Sequence, residues 1–218
     1  MIDVRARLRA VPTLTGSPPL FDPGRTPDDP QTLFIDWLLT AIDSGVIEPA
    51  ATTLSTVGAD GRPSARVLIL KNVDEQGWQF ASTAGSRKGR ELSEHPQAAL
   101  TFYWVPLGRQ VRVSGTVVPA SPAASAEDFL ARPVASRAAA LVDRQSQRLD
   151  DLTQVGEAVA EAAVRIAAQP DLVSPSWTLY TVRADEVEFW QADPDRRHLR
   201  LRYQRTTSDG WTKELLWP

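Results

Sequence analysis

Two hydrophobic periods alternate along the chain, and the switches between them mark the elements. From Asp29-Pro30, an N-cap followed by proline at the first helical position, Leu33, Phe34, Trp37, Leu38, Ala41 and Ile42 fall on one helical stripe that stops at Gly45. The period then drops to two. Residues 51–57 alternate, Gly58-Ala59-Asp60-Gly61 turns, and Pro63 to Lys71 alternates again, which predicts a hairpin. After a turn at Asp74 to Gly77, a third strand is expected over Trp78 to Ser82. A short helix follows over Lys88 to Ser93, ended by His95-Pro96, and then strands over Ala98 to Trp104 and Gln110 to Val118. Ser121-Pro122 starts a helix through Phe129, Arg132-Pro133 breaks it, and Ser136 to Leu141 supplies another turn or two. Asp150 to Gln169 reads as an alanine-rich helix with a diffuse apolar stripe. Strand-like runs over Trp177 to Arg183, Glu186 to Gln191 and His198 to Gln204 follow, and Trp211 to Leu216 pairs back across Ser208-Asp209-Gly210. Strands joined mainly by turns predict a mainly β, α+β chain built on an antiparallel barrel rather than a doubly wound parallel sheet.

Residues 1–29, with Pro12, Pro18, Pro19, Pro23 and Pro27, show no sustained period and read as a flexible arm ahead of a single domain at 30–218. The length, 218 residues, suffices for one proper core. A formal charge of −3 offers no global field for nucleic acid or an acidic membrane surface, so any basic patch is local. There is no cysteine, and there are only 2 histidines, His95 and His198, which argues against a metal centre and a thiol nucleophile. With no charged-then-apolar leader and no spanning apolar run, a soluble cytoplasmic protein is expected. The 7 tryptophans fit core or interface positions.

The candidate chemistry lies in Arg66 to Gly115. Ser86-Arg87-Lys88-Gly89-Arg90 puts cations where a turn becomes a helix, at the end of the macrodipole that is already positive. An external anion, phosphate first, would balance them; the plain alternative is a solvated basic face. Polar residues inside apolar β-runs point the same way, because a sheet core tolerates unpaired charge poorly. These are Arg66, Lys71, Gln110, Arg196, His198 and Arg200. Arg66, Arg87, Lys88 and Arg200 could surround a phosphate. His95, beside Pro96 at a helix end, reads as structural.

R-V-L-I-L-K at 66–71, S-R-K-G-R-E-L at 86–92, F-Y-W at 102–104, R-Q-V-R-V-S-G at 109–115, R-P at 132–133, R-Q-S at 144–146 and V-E-F-W-Q…R-x-H-x-R-L-R-Y at 187–203 resemble, in this collinear order, the pyridoxine (pyridoxamine) phosphate oxidases. The resemblance covers about residues 30–218. It implies a split β-barrel homodimer with FMN at the subunit interface. FMN would be held by Arg66, Val67, Leu68, Ile69, Leu70, Lys71, Ala81, Ser82, Arg87, Lys88, Gln110, Gln145, Ser146, Trp190 and Arg200. Substrate phosphate would fall to Lys71, Arg132 and Ser136, with Arg196 and His198 as catalytic residues over the substrate ring. The implied reaction oxidises pyridoxine or pyridoxamine phosphate to pyridoxal phosphate, with O2 as acceptor and H2O2 as product.

The chain departs from the family pattern at three places. Asp128 stands where the family has a tyrosine in the phosphate site, Leu199 where an acidic residue follows the histidine, and Ala138-Ala139-Ala140-Leu141 where a tryptophan is usual. An aspartate beside a phosphate is repulsive unless it points away or the substrate carries its charge elsewhere. These departures keep open a related flavin oxidase of secondary metabolism, of the phenazine-biosynthesis type. A non-catalytic flavin-binding barrel is the other alternative, and the retained Arg196 and His198 count against it. Deazaflavin and haem serve related split barrels, but the FMN-type blocks favour FMN.

Overall fold

The computed structural model of the chain describes residues 2–16, 18–208 and 210–218. Its helices are α1 Val4–Ala10, α2 Pro30–Asp43, α3 Arg87–Glu94, α4 Pro122–Leu130, α5 Val134–Leu141 and α6 Thr153–Ala168. Its strands are β1 Ala51–Val57, β2 Pro63–Ile69, β3 Asn72–Asp74, β4 Gly77–Thr83, β5 Gln97–Trp104, β6 Arg109–Pro119, β7 Trp177–Gln191, β8 Leu199–Arg205 and β9 Trp211–Leu215. Among the described residues they form one sheet in the order β2-β1-β5-β6-β7-β4-β3, with β8 on β7 and β9 on β8. The β3/β4, β4/β7, β7/β8 and β8/β9 pairs are antiparallel, the α+β architecture that the alternating runs predict.

Local chemistry explains most boundaries. Asp29 caps α2 by accepting from the backbone N–H groups of Gln31 and Thr32, at 3.3 and 2.8 Å, with Pro30 at the first turn. The expected stripe is buried at Leu33, Phe34, Trp37 and Ala41, whereas Ile42 is exposed. Two expectations change in the sheet. Residues 177–191 form one strand rather than two: Arg183 and Asp185 are exposed while Ala184 between them is buried, so the alternation carries through the expected break. The run 63–71 ends as a strand at Ile69, and Asn72–Asp74 forms a separate short strand that pairs with Gly77–Gln79. Lys71 lies between the two. In the proline-rich arm, Asp3 caps the short helix α1, none of whose residues is buried. β8 and β9 pair as expected, although Asp209 of the intervening turn lies outside the described residues.

The chain clusters into two compact units. The first comprises Met1–Thr53, Leu100–Ser114 and Ala184–Pro218, with an aromatic core. In it Phe34 meets Phe102 at 4.8 Å, Trp37 meets Phe189 at 5.2 Å, and Phe189 meets Tyr203 at 5.7 Å between ring centres. The buried Arg109 guanidinium lies 4.1 Å from the Trp37 ring centre and donates to Gln191 Oε1 at 2.9 Å. Desolvation pushes its pKa down to about 10.

The second unit, Leu54–Ala99 with Gly115–Arg183, stacks Phe80 on Tyr180 at 5.3 Å. The α5/α6 hairpin packs Ala138 and Leu141 against Ala162 and Ile166. This small-residue seam is the buried face of α6, while Leu152 and Val164 of the diffuse stripe are exposed.

Gly77 opens β4 at φ +137°, where a Cβ would lie 2.1 Å from the carbonyl oxygen of Val182 across the strand pair. Gly77→Ala is therefore expected to cost about 1–3 kcal/mol and to lower Tm by roughly 2–4 °C per kcal/mol. A calorimetric Tm within a degree of wild type would contradict this packing.

Candidate functional site

The site in the second unit grows from the first turn of α3. Ser86 caps that helix, with its Oγ accepting from Gly89 N–H at 3.2 Å and donating to the Thr83 carbonyl at 2.7 Å. A Cβ at Gly89 would sit 2.2 Å from the Ala84 carbonyl oxygen, so only glycine lets the helix start this close to the turn before it. The basic residues then divide. The Lys88 side chain is buried, and its Nζ donates to Gln145 Oε1 at 3.1 Å and to Ser86 Oγ at 3.4 Å. Arg87 stays more open, and its Nε reaches Glu91 Oε1 at 2.8 Å.

Glu91 is the buried hub. Its Oε2 accepts from Thr56 Oγ1 at 2.5 Å, from Ser64 Oγ at 2.7 Å and from Arg66 Nη2 at 3.3 Å. Burial alone would raise its pKa, but hydrogen bonds from Ser64, Thr56 and Arg87 and the Arg87 charge outweigh it and hold the carboxyl at about 2. The Lys88 ammonium moves the other way: burial first, then the neighbouring Arg66 cation, lower its pKa to about 8 against the pull of Glu91. Three cations around one carboxylate leave two net positive charges, matching a phosphate dianion.

A cavity of about 930 Å³ within this unit is lined by Arg66, Val67, Leu68, Ala81, Ser82, Thr83, Lys88 and Gln145, and also by Arg132, Ser136 and Trp177. Gln145 Oε1 gathers Ser82 Oγ at 3.5 Å, Thr83 Oγ1 at 3.1 Å and Lys88 Nζ. Ser146, at φ +71°, accepts the backbone N–H of Arg87 at 3.2 Å. Ile69 is exposed and Leu70 buried, neither of them at the cavity wall. Beside Trp177 lies a second charged group. Lys71 Nζ is 3.4 Å from Asp128 Oδ1, whose other oxygen accepts from Trp177 Nε1 at 2.8 Å. The Arg132 guanidinium stacks on Trp177 at 4.0 Å, and its buried Nη1 has no hydrogen-bond partner. Burial lowers the Arg132 pKa, and the Asp128 charge opposes that effect.

The remaining expected residues belong to the first unit. Trp190 pairs with Arg200 across β7/β8, and its ring is 5.0 Å from His198. Arg200 grips the buried Glu188 with Nε at 2.8 Å and Nη2 at 3.0 Å, and Arg112 joins the same carboxylate. Its fork is thus spent on a carboxylate. His198 Nδ1 accepts the Asp193 N–H at 3.1 Å, and Arg196 holds the left-handed conformation at φ +65°. Gln110 is half-buried at the start of β6.

The sequence pattern described as pyridoxamine 5'-phosphate oxidase matches residues 38–191, and that family's C-terminal dimerisation region matches residues 177–218. The chain belongs to the pyridoxamine 5'-phosphate oxidase family. It is 42% identical over 192 residues to the pyridoxine/pyridoxamine 5'-phosphate oxidase of Burkholderia orbicola, covering 87% of this chain and 89% of that one. It is also 42% identical over 193 residues to the enzyme of that name from Salinibacter ruber, covering 88% and 90%. Among solved structures, PhzG from Burkholderia lata 383 in complex with tetrahydrophenazine-1-carboxylic acid superposes with a TM-score of 0.86. It is 34% identical, covering 93% of this chain and 100% of that one.

FMN, the family cofactor that the resemblance implies, fits the second unit's cluster. A buried lysine with a depressed pKa beside Arg66 asks for an anion, and the amide and hydroxyls at Gln145, Ser82 and Thr83 offer polar partners for a heterocycle's edge. Sequence reasoning missed Thr56, Ser64, Thr83 and Glu91. The signal for Glu91 was present, since it stands one helical turn after Arg87 and closes the i,i+4 pair.

Two measurements probe this electrostatics. Because the Glu91 pKa is depressed, its contribution to stability is present above pH ~4.5 and is lost as pH falls toward 2, up to about 3 kcal/mol in all. Glu91→Gln should lower Tm at neutral pH and flatten its decline in acid; an unchanged acid limb would refute the hub. Lys88 must be charged to hold a phosphate, so FMN affinity should fall as pH rises through about 8. Lys88→Arg should remove that decline in a fluorescence titration, and a wild-type Kd constant from pH 7 to 9 would count against the assignment.

Proposed function

We propose that the chain is an FMN-dependent oxidase that converts pyridoxine or pyridoxamine 5'-phosphate to pyridoxal 5'-phosphate, with O2 as acceptor and H2O2 as product. It works as a cytoplasmic homodimer in which residues 30–218 act as one FMN-binding domain behind the 1–29 arm. The observation that carries this reading is one cavity lined both by Arg66 and Lys88 of the cation cluster and by a separate arginine, Arg132, whose buried Nη1 has no hydrogen-bond partner. The two relatives at 42% identity support the substrate. The match to the dimerisation region supports the dimer, as do the exposed Val67 and Ile69 on β2, the first strand of the sheet order.

Bound FMN supplies hydride acceptance and reaction with O2. The rest falls to the chain. Arg66, Arg87 and Lys88 hold the cofactor phosphate, with Gln145, Ser146, Ser82 and the strand 66–71 along its length. The proposed cofactor set also includes Gln110, Trp190 and Arg200 of the first unit, Arg200 with its Nε and Nη2 already engaged by Glu188. Arg132, Ser136 and Lys71 hold the substrate's acidic handle, a remote contact whose binding energy aligns the ring. Arg196 and His198 act on that ring. With His198 Nδ1 accepting from the backbone, the neutral imidazole carries its hydrogen on Nε2, which has no hydrogen-bond partner among the described residues and can orient the substrate or exchange a proton.

A second reading, an oxidase of the phenazine-biosynthesis type, is favoured by one observation: Lys71 already has a carboxylate partner in Asp128. The similarity to PhzG supports it. Peroxide release by FMN-loaded protein separates the two. Turnover of pyridoxine 5'-phosphate and not of unphosphorylated pyridoxine is expected, with kcat/KM falling about tenfold or more in Arg132→Ala while FMN is retained. A yellow protein that releases no peroxide with either phosphorylated vitamer would overturn the first reading.

A further inference from the structure

We infer that Asp128 is a specificity-determining residue that sets the handle site of the cavity to a singly charged acid group, so that a carboxylate is held about as well as a phosphate ester. This deepens the reading above and rests on it. The argument is a comparison of two clusters. Around Glu91, three cations face one carboxylate, and the surplus of two matches a phosphate dianion. Around Asp128, two cations face one carboxylate, and the surplus is one. Lys71 Nζ lies 3.4 Å from Asp128, and the Arg132 guanidinium rests on the Trp177 ring that Asp128 itself anchors.

The donor set agrees with the charge. Stacking occupies the face of the Arg132 guanidinium, and its buried Nη1 has no partner, so the group offers an edge to an incoming acid. Ser136, also at the cavity wall, can add a hydroxyl donor. A phosphate dianion would bring a second charge with no matching cation, and would bring it close to the Asp128 carboxylate. Asp143, Arg144 and Arg148 also line the cavity, but all three are exposed, Asp143 accepting from Ser176 Oγ at 2.5 Å and Arg148 paired with Asp150 at 2.9 Å, so solvent screens them.

The substitution Asp128→Asn isolates the charge, because an amide oxygen still accepts from Trp177 Nε1 while Lys71 is released. Asp128→Tyr, the residue usual in the family, is the second variant. The measurement is the Kd of FMN-loaded protein, followed by perturbation of the flavin spectrum at pH 8, for two probes. One is pyridoxal 5'-phosphate. The other is the pyridine analogue with a carboxylate in place of the phosphate-ester arm.

Wild type should bind the two within about threefold of each other, and each variant should favour the phosphate by about tenfold or more, the equivalent of about 1.4 kcal/mol. A wild-type preference for phosphate of about tenfold, unaltered in both variants, would overturn the inference. Peroxide release from pyridoxine 5'-phosphate without the shift in ratio keeps the proposed oxidase and sinks the role of Asp128. The shift without peroxide does the reverse. Binding of neither probe to a flavin-loaded protein sinks both.

Discussion

A buried carboxylate cannot stand alone, and Glu91 answers that constraint by collecting donors from β1, β2 and the first turn of α3. Removing one charged partner from such a group costs far more than the pair contributes on its own. Glu91 therefore fixes where Arg66 and Arg87 point before any ligand arrives. Preorganisation of this kind spares the ligand the entropy of ordering long cationic side chains. Lys88 is left as the cation that burial strains and that an anion would relieve.

The same device recurs elsewhere with different arithmetic. Glu188 holds Arg112 and Arg200 in the first unit, two guanidinium groups on one buried carboxylate. Asp128 holds Lys71 and anchors the indole beneath Arg132. In each case the acid decides how much positive charge remains for a ligand. Counting cations alone overestimates the field at all three places.

The strand and helix order was legible in the sequence because period two and period 3.6 are local properties, and the caps at Asp29, Ser86 and Ser121 are where local chemistry puts them. The errors were local too. Arg183-Ala184-Asp185 reads as a break by composition, yet its small apolar centre keeps the alternation that lets β7 run through. The candidate cations could be named from sequence, whereas their partners could not. Thr56, Ser64 and Glu91 are dispersed along the chain, and only folding brings their oxygens together. Asp128 was visible as a departure, but its choice of Lys71 and Trp177 depends on packing between α4 and the start of β7.

Gly89 has a consequence for how freely the basic segment can vary. Its neighbour Arg90 is exposed, with Nη1 donating to the Gly85 carbonyl, and another side chain there is accommodated at local cost. Position 89, in a polar helix and with no side chain of its own, sits against the Ala84 carbonyl as tightly as any core residue sits against its neighbours. In a library of random substitutions it should therefore behave as an interior position, sparser in accepted replacements than the exposed Arg90 beside it. What it preserves is a distance, the spacing of the cationic turn from the strand end that precedes it.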